Sequence, residues 1–161
     1  MNRWLLSICW CAAACQSEPQ APKSADEVVD AYRDALSVEP RDCGSTGILE
    51  LGEGPGCPRP LGAAQQCFVD ALSACESAEV SLSWSTTDAG PLPTVWFVEP
   101  SGAGDCFVTT FRDNSGDPYK GDYGDLTQAA CASVVDVQSI DPANCGVLVT
   151  QDCEGVEEWY F

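Results

Sequence analysis

The chain contains no histidine. That absence removes Ser-His-Asp and Cys-His nucleophilic catalysis, imidazole-ligated zinc, and the side chain that most often serves as general base near neutral pH. Bases are scarce as well: seven Lys and Arg stand against 25 Asp and Glu over 161 residues, a formal charge of −18 at pH 7. Such a surface repels phosphate backbones and anionic head groups, so nucleic acid is excluded as a partner, and so is electrostatic adsorption to a membrane. The same charge favours solubility in crowded surroundings. No apolar run reaches the roughly 20 residues that cross a bilayer as a helix. The cysteines lack CxxC spacing, which removes zinc ribbons and redox dithiol motifs.

What is present begins with an address. Arg3 precedes the apolar run Trp4-Leu5-Leu6-Ser7-Ile8-Cys9-Trp10-Cys11, and the small residues Ala12-Ala13-Ala14 follow. This is the layout of a removable secretory signal, assigned to residues 1–14. Ala12-Ala13-Ala14-Cys15 resembles the lipobox of bacterial lipoprotein precursors, in which a cysteine after small residues is acylated and becomes the new amino terminus. The resemblance covers the signal alone and departs from the family pattern at Ala12, a position usually Leu. It implies Cys15 as the lipid-attachment site and the bacterial envelope as the location. Gln16, rather than Asp, directly after the cysteine implies sorting to the outer membrane. Cleavage after Ala14 without acylation is the alternative, and it gives a soluble secreted protein.

Parity supports the lipid. Cys9 and Cys11 leave with the signal; if Cys15 is acylated, Cys43, Cys57, Cys67, Cys75, Cys106, Cys131, Cys145 and Cys153 remain. An even set is what a closed disulfide framework in an oxidising compartment needs. Loss of Arg3 leaves six bases against 25 acids, a formal charge of −19 for the mature chain. Residues 15–23 are polar and proline-bearing and are read as a lipidated tether, and 24–161 as a single disulfide-rich domain of ordinary size. A domain of that length buries a core unaided, so the disulfides add stability rather than make folding possible.

Ser24-Ala25-Asp26-Glu27 predicts a capping box and a helix whose stripe is Val28, Val29, Tyr32, Ala35 and Leu36, ending before Pro40. Residues 40–62, rich in Gly and Pro, read as a loop stapled by Cys43 and Cys57. A second helix over 62–76 places Ala64, Cys67, Phe68, Ala71, Leu72 and Cys75 on one stripe. Its two cysteines lie about 12 Å apart along the axis at 1.5 Å per residue, beyond the reach of a mutual disulfide. Each must find a partner elsewhere, which makes this helix the hub of the network.

Strands follow. Val80, Leu82 and Trp84 alternate with serines, Thr94 to Glu99 is apolar on both faces, and 105–112 is rich in Phe, Val and Thr. Leu126 to Ala132 is expected to form a short helix bearing Cys131, and 134–140 and 146–151 two further strands. Trp84 and Trp96 are core candidates, and the terminal Trp159-Tyr160-Phe161 is expected to dock at a core edge. The expected architecture is α+β: one or two helices packed on one face of an antiparallel sheet of about 3–5 strands.

Asp113-Asn114-Ser115-Gly116-Asp117 with Asp122 and Asp125 is the nearest approach to a ligand site, since calcium takes oxygens from flexible acidic loops. Its spacing departs from the EF-hand, and Asn-Ser-Gly and Asp-Pro are ordinary turn chemistry. Gly52-Glu53-Gly54-Pro55-Gly56 lacks the lysine and helix start of a phosphate loop. No cofactor is implied. The leading expectation is a non-catalytic, membrane-tethered envelope lipoprotein with a binding or structural role toward an envelope protein. A calcium-dependent adhesion module using Asp113, Asp117 and Asp122 is one alternative. A secreted hydrolase with two carboxylates in one cleft is another.

Overall fold

The computed structural model describes residues 24–49, 52–53, 61–84, 91–101, 104–118, 125–136, 144–145 and 148–154. The expectations placed on the signal, on Cys15 and the tether, on Cys57, on Asp122 and on Trp159-Tyr160-Phe161 lie outside the described residues.

Helix α1, Ala25–Ala35, begins where its capping box dictates. Ser24 Oγ accepts from the Glu27 N–H at 3.2 Å, and the Glu27 carboxylate accepts from the Ser24 N–H at 2.9 Å. Asp26 and Glu27 occupy the first turn and Arg33 the last, the order that a helix dipole favours. Helix α2, Ala63–Ala74, starts at Gly62, whose N–H donates to Gln65 Oε1 at 3.0 Å. It stops at Cys75, which turns left-handed (φ 54°, ψ 41°) and donates its N–H to the carbonyls of Ala71 and Leu72. Among the described residues, no helix is long and apolar enough to cross a membrane.

The strands are β1 (Arg41–Leu49), β2 (Gly52–Glu53), β3 (Ala78–Trp84), β4 (Leu92–Pro100), β5 (Cys106–Asp113), β6 (Leu126–Asp136), β7 (Asn144–Cys145) and β8 (Leu148–Glu154). Six of them form one sheet in the order β1-β3-β4-β5-β6-β8, while β2 pairs with β7 in a separate two-stranded ribbon. The α+β class holds. The sheet is larger than the expected 3–5 strands, and it is mixed: β1 runs parallel to β3, and the other pairs are antiparallel. A parallel neighbour needs a crossover, and α2 supplies it between β1 and β3.

Two expectations are corrected here. Residues 41–49 form a strand rather than a stapled loop, because the edge of β3 offers them a ladder. They meet it irregularly, with register shifts on either side of Ser45 and with Gly44 at φ +87°, a conformation that glycine adopts without strain. The segment 126–132 is likewise a strand: Leu126 to Cys131 pair with β5, and β8 joins from Ala130 onward. Its alanines favour a helix locally, and the two ladders outweigh that preference.

The helices cover opposite faces of the sheet, not one face. On β4, Trp96 and Val98 join Val80, Leu82, Val108, Phe68 and Ala71 in a core beneath α2. The alternate residue Phe97 joins Phe111 and Val29 beneath α1, with Val95, Tyr32 and Leu126 packed alongside. This explains why Thr94 to Glu99 is apolar on both sides: a central strand covered twice has no wet face. Phe68, Phe97, Val98 and Val108 are wholly buried. Trp96 is buried as expected and lies against Phe68, with ring centroids 5.9 Å apart.

Candidate functional site: a helix fastened by sulfur and a carboxylate

Cys67 stands one position before Phe68 on the buried stripe of α2, so its sulfur leans toward the sheet, where β1 presents Cys43. The two form a disulfide with Cα atoms 5.6 Å apart. The expected Cys43–Cys57 staple is therefore wrong: α2 lies over the start of β1, and Cys67 reaches Cys43 from there. Arg41 strengthens the same junction, donating to the Cys67 carbonyl at 3.2 Å and pairing with Glu76 at 3.6 Å. A second disulfide joins Cys131 to Cys153, directly opposed on β6 and β8.

The other cysteine of α2 ends the helix. Cys75 and Cys106, the first residue of β5, both carry free thiols and are both half-buried. The Cys75 N–H and the Cys106 thiol donate to the same carbonyl, that of Leu72, at 3.1 and 3.3 Å. Burial pushes the Cys106 thiol up to about 11, and the neighbouring Cys75 thiol adds to the rise. The expected hub thus has one bridge in place: Cys67 reaches β1, whereas Cys75, expected to bridge to another element, carries a free thiol and is not bonded to Cys67.

On the other face, a polar cluster ties α1 to the sheet. Tyr32 points down from the helix between Phe97 and Phe111, with ring centroids at 5.4 and 4.8 Å. Its hydroxyl donates to Glu99 Oε1, the same oxygen that accepts from Thr109 Oγ1, and the two hydroxyl oxygens are 3.0 Å apart. Burial pushes the Tyr32 phenol up to about 12, and the neighbouring Glu99 carboxylate adds to the effect. The phenol is therefore a fixed proton donor at physiological pH. At the next position of α1, Arg33 Nε donates to Glu79 Oε2 at 2.7 Å, and this bond holds the guanidinium charged above its ordinary range.

Sequence reasoning missed this cluster. Tyr32 was legible as a stripe residue, yet nothing in the local pattern points to Glu99, which lies 67 positions away. Chemically, the cluster fastens. Glu99 and Glu79 lie on one face of adjacent strands, but each carboxylate is already engaged, by two hydroxyls and by a guanidinium respectively.

The acidic loop shows turn chemistry at the residues described. Asp113 Oδ1 accepts from the Ser115 N–H at 2.8 Å. Asn114 is buried, its N–H donating to the Asp125 carbonyl at 2.7 Å and its Nδ2 to Thr127 Oγ1 at 2.6 Å. These bonds tie the end of β5 to the start of β6. Asp117 is half-buried close to Arg112, a guanidinium whose charged form burial disfavours and Asp117 favours. Among the described residues, no group of three Cys, Asp or Glu converges to hold a metal ion.

Comparison of the chain with family models, with curated proteins and with solved structures returns no match.

Proposed function

We propose that the protein is a non-catalytic lipoprotein of the bacterial envelope, anchored by acyl chains on Cys15 and displaying a rigid, acidic α+β domain beyond a short tether. The observation that carries this reading is the agreement of sulfur chemistry with the leader. Cys43–Cys67 and Cys131–Cys153 are bonds that persist in an oxidising compartment, which is where a leader of this layout delivers a chain. The role is binding or structural. A domain tethered to the outer membrane meets a neighbouring envelope protein at high effective concentration, so useful association needs no great intrinsic affinity. Acidity keeps it off the anionic lipid around its own anchor.

The test is expression of the full chain in a bacterium fed an alkyne-bearing fatty acid. Label and membrane fractionation are read for the wild type and for Cys15→Ser. The expected result is a labelled, membrane-bound mature chain whose mass corresponds to acylated Cys15 at its amino terminus, with both label and membrane association lost in Cys15→Ser. A soluble, unlabelled chain beginning at Cys15, or a chain that keeps Met1 in the cytosol, overturns the proposal.

A further inference from the structure

We propose that Cys75 and Cys106 are a preformed dithiol that closes into a further disulfide, joining the C-terminal cap of α2 to the first residue of β5. The geometry argues for it in three ways. Both residues converge on the Leu72 carbonyl, one through its amide and the other through its thiol, which brings the two side chains into one neighbourhood. Each sits at a point where the backbone is already fixed: Cys75 is locked left-handed by the amide bonds that end the helix, and Cys106 opens a strand in register with Pro100. Little further ordering is then needed to bring the sulfurs together, which is the main obstacle to forming a disulfide. Finally, α2 already carries one bridge, to β1. In the sheet order, β1 and β5 flank β3 and β4, so a bridge to β5 secures the helix on both sides of the strands it covers.

The chemistry is thiol–disulfide exchange with a disulfide-bearing oxidant, either a small molecule or a donor protein. The Cys75 sulfur, giving up its proton to solvent, attacks first. It takes one sulfur of the oxidant, and the other departs as a thiolate. The Cys106 sulfur, giving up its proton, then attacks the Cys75 sulfur of this mixed disulfide and releases the second thiolate. Two cysteine sulfurs are oxidised and two oxidant sulfurs are reduced. The inference rests on an oxidising environment and not on the lipid, so the two proposals fail separately.

Digestion after Glu and before Asp separates the relevant cysteines: Cys75 falls in the peptide 70–76 and Cys106 in 105–112, while Cys67 stays with 54–69. The purified chain is treated with oxidised glutathione, alkylated and digested without reduction. A linked species of 70–76 with 105–112, lost on reduction, is the expected result. Recovery of both peptides alkylated, or linkage of 70–76 to any other cysteine, overturns the proposal. As a second readout, the melting temperature of the oxidised wild type should exceed that of the oxidised Cys75→Ala/Cys106→Ala variant by roughly 5–10 °C. If the two melt together, the bond does not form or contributes nothing.

Discussion

Replacing Tyr32 with phenylalanine removes one oxygen from the clamp between α1 and the sheet and leaves the rest in place. The ring keeps its contacts with Phe97 and Phe111, and Glu99 keeps Thr109 as a donor. A hydrogen bond to a charged acceptor is worth about 1.5–3 kcal/mol. Partial exposure places this one at the low end, so Tyr32→Phe should cost about 1.5–2 kcal/mol at pH 8. The pH dependence sharpens the test. Folding lifts the phenol from its ordinary 10 to about 12, so it is the protonated form that the fold favours. Its contribution is complete below pH 10 and is lost as pH climbs from 10 through 12, where the folded phenol gives up its proton. Two pKa units correspond to at most about 2.7 kcal/mol, and screening at a half-buried site reduces that to about 1–1.5 kcal/mol. Urea unfolding of both proteins from pH 8 to 11.5 should therefore show a gap that narrows above pH 10. A gap below about 0.5 kcal/mol at pH 8, or two curves that stay parallel throughout, refutes the clamp.

Two further outcomes follow from the opposite face. Phe68 is wholly buried against Trp96, so Phe68→Ala should cost about 3–5 kcal/mol in urea unfolding, enough to threaten a domain of ordinary stability. The Cys43–Cys67 bridge closes a loop of sequence separation 24, and Cys43→Ala/Cys67→Ala should lose about 3 kcal/mol relative to the oxidised wild type while keeping its far-ultraviolet circular dichroism.

The parts of this fold that were legible in the sequence are those whose signals are local. Ser24 and Glu27 announce the start of α1 within four residues, and the stripe through Phe68 and Ala71 marks the buried side of α2. The doubly apolar Thr94 to Glu99 was legible too, and it already implied cover on both faces, a consequence that the expectation of helices on one side overlooked. What escaped is non-local. Arg41–Leu49 has neither alternation nor β-branched density, and it becomes a strand only because β3 accepts it. Ala129, Ala130 and Ala132 spell a helix until β5 pairs with the first part of the segment and β8 with the rest. Of the candidate site residues, the cysteines of α2 were found from spacing. The partners of Cys67 and Tyr32, which lie in other elements, required the tertiary structure.

The outermost strands of the main sheet have one more consequence. An open sheet ends in unpaired amides and carbonyls that can template another chain. Here β1 is broken out of register around Ser45 and bound covalently to α2, while β8 is bound to β6 and turns left-handed at Asp152, a non-glycine residue at φ 54°. Both irregularities depart from the flat, regular edge that pairing with a second chain needs. Irregularity at the rims thus opposes edge-to-edge growth, a task to which the interior packing contributes nothing.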